Sequence, residues 1–219
     1  MLPMQLMHRI FNDIDPRALV LLSKELEIKT KDFLKGSIML SQGEENHNIC
    51  VLISGKAHAV RYTAEGREVD YALLGTGALF GYALAFSRST VSPVTVFADS
   101  DCQVLYFSYS NLLSTALPEA KILLQNLIEE LADGYFALQR RVHYLTCDSM
   151  REKILAYLFD HCSSAEETFT IPLDRNAMAS YLWCDRSALC RELSRMKADG
   201  IIWYKGNSFR LLKTKGINL

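Results

Sequence analysis

"LWCDRSALCRELSRMKADGI", Leu182 to Ile201, contains a helix with two unlike faces. Asp185 is a good N-cap and Gly200 a good stop, so the helix runs between them. At about 100° per residue, Leu189, Leu193 and Met196 share one apolar stripe. Ser187, Cys190, Arg191 and Ser194 fall opposite it, flanked by Arg186 and Arg195. The stripe must dock on a neighbouring element, which turns three arginines outward. A solvated surface helix has the same pattern, so the flanking sequence must decide.

Upstream, "LDRNAMASYLW" reads as a shorter helix capped by Asp174, with Trp183-Cys184 as a very short turn and small Ala179 at the helix crossing. Downstream, "IIWY", "KGNS" and "FRLL" read as a β-hairpin with Gly206-Asn207 at its tip. Two helices, a short turn and a hairpin make a winged helix-turn-helix, whose second helix enters the DNA major groove. The charge agrees. From Ile171 onward nine Lys/Arg face four acids, giving +5 over the last 49 residues and −6 over the first 170. A basic tail on an acidic body points to a polyanion partner for the tail. The overall charge of −1 therefore does not exclude nucleic acid. The candidate DNA-binding residues are Arg186, Ser187, Cys190, Arg191, Ser194, Arg195 and Lys205.

Ahead of this module the period changes. "LPEAKILLQNLIEELADGYFALQRRVHYL" places Leu124, Ile128, Leu131, Tyr135, Leu138, Val142 and Leu145 at alternating steps of four and three, with Leu117 continuing the row in front. That is an a/d seam. Flanking Glu129, Glu130, Arg140 and Arg141 favour a seam shared with another copy over one packed on the chain's own sheet. These residues are the expected homodimer interface. Gly134 weakens the helix locally and suits close approach or a ligand-sensitive spot. The seam ends at Thr146-Cys147-Asp148, and Ser149 to Glu152 reads as a capping box, so 146–149 is the expected hinge.

Further upstream, seven of the eleven glycines lie between Gly36 and Gly81. Strand-like runs lie among and after them at 48–54, 56–62, 68–74, 93–98 and 102–107, behind a helical stretch at 15–27. Such spacing suggests a sandwich, jelly roll or barrel. Fold class is α+β, with expected domains 1–116 (effector-sensing β-domain), 117–147 (dimerisation helix and hinge) and 148–219 (winged helix-turn-helix). No long apolar run or signal peptide is present, and the six cysteines lack zinc-ligand spacing. A cytoplasmic protein with reduced thiols and no membrane partner is expected.

The glycine-punctuated β-domain, the long helix, "KGSIMLSQGEENHNICVLISGKAHA", "GTGALFG" and above all "MASYLWCDRSALCRELSRMKADGII" together resemble the Crp/Fnr family of bacterial transcription regulators. The resemblance covers nearly the whole chain. It implies a cyclic-nucleotide-binding-type jelly roll, a dimer on double-stranded DNA, and RNA polymerase as a partner if the chain activates. It also places the family's two recognition arginines on Arg186 and Arg191, which suits an arginine fork that binds guanine O6 and N7 bidentately.

The departures are as informative. Ser187 and Cys190 stand where the cyclic-AMP-responsive member has an acid and a glycine, which implies a different operator. Trp183 replaces the usual turn glycine. The ribose and phosphate ligands of cyclic-nucleotide sensors correspond to Phe80-Gly81-Tyr82 and Ser92-Pro93-Val94, without carboxylate or arginine. Arg88 matches only if the alignment slips by four residues. Burying a cyclic phosphate without a cation is costly. The effector is therefore a small molecule other than cAMP, and Tyr82, Phe86, Ser92 and Thr95 are the candidate pocket. Tyr106 is a further possible wall of it.

Other chemistries find less support. No cysteine precedes Cys50, against an iron–sulfur cluster, and His47, His58 and His143 are isolated, against haem. Thiol sensing at Cys190, between two arginines, and a protein-binding regulatory module without DNA are the alternatives. An enzyme is not expected: His58 alone cannot build the metal site of a jelly-roll oxygenase or isomerase.

Overall fold

The computed structural model describes residues 8–162 and 167–212. The chain divides into two compact units, Met1–Ala132 and Asp133–Leu219, and the boundary falls inside one long helix.

In the first unit, Asp15 caps helix α1 (Pro16–Glu25) by accepting from the Arg17 and Ala18 amides, with Pro16 at the first helical position. Eight strands follow: β1 (Lys29–Phe33), β2 (Ile38–Leu40), β3 (Asn48–Ser54), β4 (Ala57–Tyr62), β5 (Glu68–Leu74), β6 (Leu79–Phe80), β7 (Thr95–Ala98) and β8 (Cys102–Ser108). They form two antiparallel four-stranded sheets, ordered β1-β8-β3-β6 and β2-β7-β4-β5. The strand-like runs at 48–54 and 68–74 are β3 and β5, with the expected bounds. The charged "KTKDF" of β1 and the short β2 and β6 carry no readable pattern.

Period-two alternation in β3 and β8 serves two cores at once. Ile49, Val51, Leu105 and Phe107 pack towards α1 and the helix after the strands, with Leu19, Leu22, Leu26, Leu123 and Leu127. Leu52, Cys102 and Val104 face the other way and meet Ala57, Ala59, Val96 and Ala98 of the second sheet. This sandwich is the jelly roll expected from the glycine-punctuated runs. Helices α2 (Tyr82–Ala85) and α3 (Tyr109–Ser114) complete the β-domain.

Helix α4 (Glu119–Thr146) has 28 residues, a length of about 42 Å. Its front half buries Ala120, Leu123 and Leu127 in the first unit's core, where Leu117 and Leu124 also pack. Leu124 is thus partly covered by its own chain, and Leu131 is half-buried. Ile128, Tyr135, Leu138, Val142 and Leu145 are between 40 and 62% exposed, as is Phe136 beside them.

In the second unit, α5 (Met150–Asp160) starts at the capping box: the Glu152 amide donates to Ser149 Oγ, and the Ser149 amide donates to Glu152 Oε2. Then come β9 (Phe169–Thr170), α6 (Arg175–Tyr181), α7 (Arg186–Ala198), β10 (Ile202–Lys205) and β11 (Ser208–Leu211), the strands ordered β10-β11-β9. Lys205 pairs with Ser208 across a two-residue turn at Gly206-Asn207. The polar stretch at 163–166 before β9 lies outside the described residues, as do 1–7 and 213–219.

Candidate nucleic-acid interface

Two aspartates set the geometry of the helix pair. Asp174 Oδ1 accepts from the Ala177 amide, and Asp185 Oδ1 accepts from the Ala188 amide, each at 2.8 Å. Such caps contribute about 1 kcal/mol apiece. Between the helices, the Cys184 amide reaches back to the Ala179 carbonyl at 2.9 Å. Trp183 takes a left-handed backbone, φ +54°, and is 77% exposed. The turn therefore keeps its usual shape, and Trp183 adopts the conformation normally left to glycine. At the other end of α7, the Gly200 amide bonds the Lys197 carbonyl and the Ile201 amide bonds the Met196 carbonyl, a Schellman stop with Gly200 at φ +66°.

Leu189, Leu193 and Met196 are buried with Met178, Ala179 and Leu182 of α6 and its cap, Ile154, Leu155 and Leu158 of α5, and Ile202, Phe209 and Leu211 of the hairpin. Docking that stripe leaves Arg186, Ser187, Arg191, Ser194 and Arg195 exposed and Cys190 half-buried. Ser194 Oγ donates to the Cys190 carbonyl at 3.0 Å. Lys205 is exposed at the hairpin tip. Among the described residues no acidic side chain pairs with Arg186 or Arg191. The acids of α7 are taken up from its other side. Arg151 Nε donates to Glu192 Oε1 at 2.7 Å, Arg151 Nη2 lies 2.9 Å from Asp199 Oδ2, and Arg195 lies 3.6 Å from Glu192.

Arg175, which sequence reading counted only as a charge, organises the wing. Its guanidinium lies 4.8 Å from the Phe209 ring and 5.4 Å from that of Tyr204, and its Nη2 donates to the Gly206 carbonyl at 2.6 Å. Among the described residues Nη1 is buried without a partner, and burial holds the group below its ordinary pKa. Lys197 Nζ donates to the Tyr204 carbonyl. The hairpin tip is thus tied to the start of α6 and the end of α7. A cluster of tyrosines stiffens the same unit. Tyr144 of α4, Tyr157 of α5 and Tyr181 of α6 lie with ring centroids about 6 Å apart, and the Tyr144 hydroxyl donates to Asp160.

The first unit holds a cavity of about 240 Å³ between β4, β5, β6, α2 and the loop into β7. Tyr82 and Ser92 line it. Phe86 and Thr95 do not: Phe86 caps the four-residue α2 and packs edge-on against Tyr109 at 4.7 Å, while Thr95 Oγ1 accepts from the Gln42 amide. Tyr106, the further possible wall, is likewise not among the lining residues. Arg88 is exposed and not part of the wall. Gly81 opens α2 at φ +73°, where a Cβ would lie 2.5 Å from Asn46 Nδ2, so no larger residue fits. Asn46 Nδ2 donates to the Asn48 and Gly81 carbonyls and fixes this corner.

Among the described residues no disulfide is formed by the six cysteines. Burial pushes the Cys50 thiol up to about 12 and raises those of Cys147 and Cys184, which keeps all three protonated at neutral pH. Among the described residues no group of three His, Cys, Asp or Glu is placed to hold a metal, and no helix is long and apolar enough to cross a membrane.

Residues 30–116 match the cyclic nucleotide-binding domain family. A probable transcriptional regulator of Lacticaseibacillus casei is 27% identical over 184 residues, 83% of this chain and 82% of its own length. The CRP-like protein Clp of Xanthomonas campestris is 23% identical over 183 residues, 79% of each chain. Among solved structures, CprK complexed with OCPA superposes with a TM-score of 0.61 at 21% identity over 89% of each chain. The c-di-GMP-responsive regulator CLP of X. campestris gives 0.56 at 19%, over 91% of this chain and all of its own. At these identities the structural likeness speaks for the fold alone. The relatives are transcription regulators rather than enzymes. A cyclic nucleotide-binding domain in front, a winged helix-turn-helix behind it and such relatives along about four-fifths of its length make the chain similar to transcription regulators of the Crp/Fnr type.

Proposed function

We propose that the chain is a dimeric, sequence-specific DNA-binding transcription regulator of the cytoplasm, controlled by a small molecule in the β-domain cavity. The observation that carries this reading is the polar face of α7. Arg186 and Arg191 stand exposed without acidic partners among the described residues, while Arg151 neutralises Glu192 and Asp199 from the other side. Arg186, Ser187 and Cys190 lead into the major groove, and Arg191, Ser194, Arg195 and Lys205 meet bases or phosphates around it.

The exposed stripe of Ile128, Tyr135, Leu138, Val142 and Leu145 supports a dimer, because five large apolar side chains on one solvent-facing helix need a cover. A second copy of the same stripe supplies it by coiled-coil packing. Effector binding biases one of two packings of α4. Tyr144, buried against Tyr157 and Tyr181, passes that change to the last residue of α6, next to the turn. The hinge at 146–149 then sets whether two recognition helices match half-sites about 34 Å apart.

Selecting bound duplexes from a random pool, with the protein's mass followed by sedimentation, tests the reading. It expects a dimer and a two-fold symmetric sequence. A monomer without preference among duplexes contradicts it.

A further inference from the structure

The β-domain cavity has a chemical character that narrows its ligand. Its wall is mostly carbon, from Ala59, Ala72, Leu74, Leu79, Val94 and Val96 among others. Among the described residues no charged side chain lines it. Its one aliphatic hydroxyl is already engaged: Ser92 Oγ donates to the Val94 carbonyl at 2.7 Å and accepts from the Val94 amide at 3.3 Å. That leaves the phenols of Tyr71 and Tyr82 as the side-chain polar groups of the wall. Tyr82 itself sits close enough to Glu130 of α4 for that carboxylate to raise its pKa, after the larger effect of burial. Glu130 is ion-paired with Arg9.

We infer that this cavity binds an uncharged, predominantly apolar small molecule, and that it excludes nucleotides and other anions. The inference rests on the reading of this cavity as the effector site. An anion entering here loses its water and meets no cation, an unpaired burial that proteins avoid. An apolar guest recovers contacts along the whole wall and asks for one hydrogen bond at most, from a phenol. The volume lies below the roughly 300–1,000 Å³ usual for drug-sized ligands, so the guest is small. Its natural neighbour in the wall is Tyr82.

The experiment titrates the full-length protein, ¹³C-labelled at Ala, Leu and Val methyls, with three probes. These are indole, indole-2-carboxylate (the same ring with a charge) and cAMP. The expected result is saturable shifts at Ala72, Leu74, Val94 and Val96 with indole, binding at least tenfold weaker with the carboxylate, and none with cAMP. Ala72→Leu, which fills the cavity, abolishes the indole response while leaving the thermal midpoint in place. The contrast among probes is read on the unaltered protein and does not depend on that variant folding. Equal or tighter binding of either anion at these methyls overturns the inference, and so does silence of these methyls towards indole up to its solubility. Operator affinity is measured alongside. Indole filling the cavity without changing DNA binding upholds the ligand class and removes the regulatory reading. A charged compound that moves these methyls and shifts DNA affinity does the reverse.

Discussion

Arg151, in the first turn of α5, holds Glu192, in the middle of α7, through a 2.7 Å bond from Nε to Oε1. The bond to Glu192 holds the Arg151 guanidinium above its ordinary pKa, and Asp199 adds to the effect. The polar face of α7, proposed above to meet DNA, is therefore cleared of negative charge from behind, by a residue next to the proposed hinge.

Removing that residue separates stability from DNA affinity. The pair is partly exposed, so Arg151→Ala costs about 1 kcal/mol of stability or less. It also leaves the Glu192 carboxylate with only the longer pair to Arg195, beside DNA phosphates, and affinity falls severalfold. Adding Glu192→Gln restores affinity. Urea denaturation and fluorescence anisotropy read the two quantities, and equal affinity of the single and double variants contradicts the account.

Trp183 pays for its backbone. A left-handed conformation costs a residue with a Cβ about 1–2 kcal/mol, of which glycine's own backbone entropy takes back about 0.5–1. The exposed ring loses little packing. Trp183→Gly is expected to raise the unfolding free energy by about 0.5–1 kcal/mol, whereas Trp183→Ala, still left-handed at φ +54°, does not. Denaturant midpoints of the three proteins decide.

The buried tyrosines make the winged unit sensitive to alkali. Burial pushes the Tyr157 phenol from 10 up to about 12, and burial followed by the bond to Asp160 raises Tyr144. Above about pH 10 the unfolded chain sheds protons that the folded chain keeps, so stability is full below that pH and falls as pH rises towards 12. The Tyr157 hydroxyl has no partner among the described residues. Tyr157→Phe therefore leaves stability at pH 7 unchanged or higher by up to about 1 kcal/mol. It also makes the alkaline decline shallower by as much as about 1.4 kcal/mol per pH unit. Chemical denaturation at pH 7 and between pH 10 and 12 measures both effects.

What could be read from the chain followed its periodicities. β3, β5 and β8 are short apolar and aromatic runs bounded by turn residues, α7 repeats Leu189, Leu193 and Met196, and the caps at Asp174, Ser149 and Asp185 lie next to the helices they start. β1 escaped notice because an edge strand with four of five residues exposed carries lysines and an aspartate instead of an apolar alternation. Arg175 and Arg151 act across 31 and 41 residues of sequence, a separation no local pattern reports. Phe86 lies four residues after Tyr82, a spacing that shares a face only while a helix continues. Helix α2 stops at Ala85, so Phe86 turns to Tyr109 instead.

The most direct test of the central claim is the affinity of Arg186→Ala and Arg191→Ala for the selected duplex, measured across a salt series. Both variants should remain dimeric, and each should lose about 1–3 kcal/mol of specific binding. A variant whose arginine meets a phosphate should also show a shallower dependence on salt. Undiminished affinity in both variants, at every salt concentration, would mean that another surface reads the DNA.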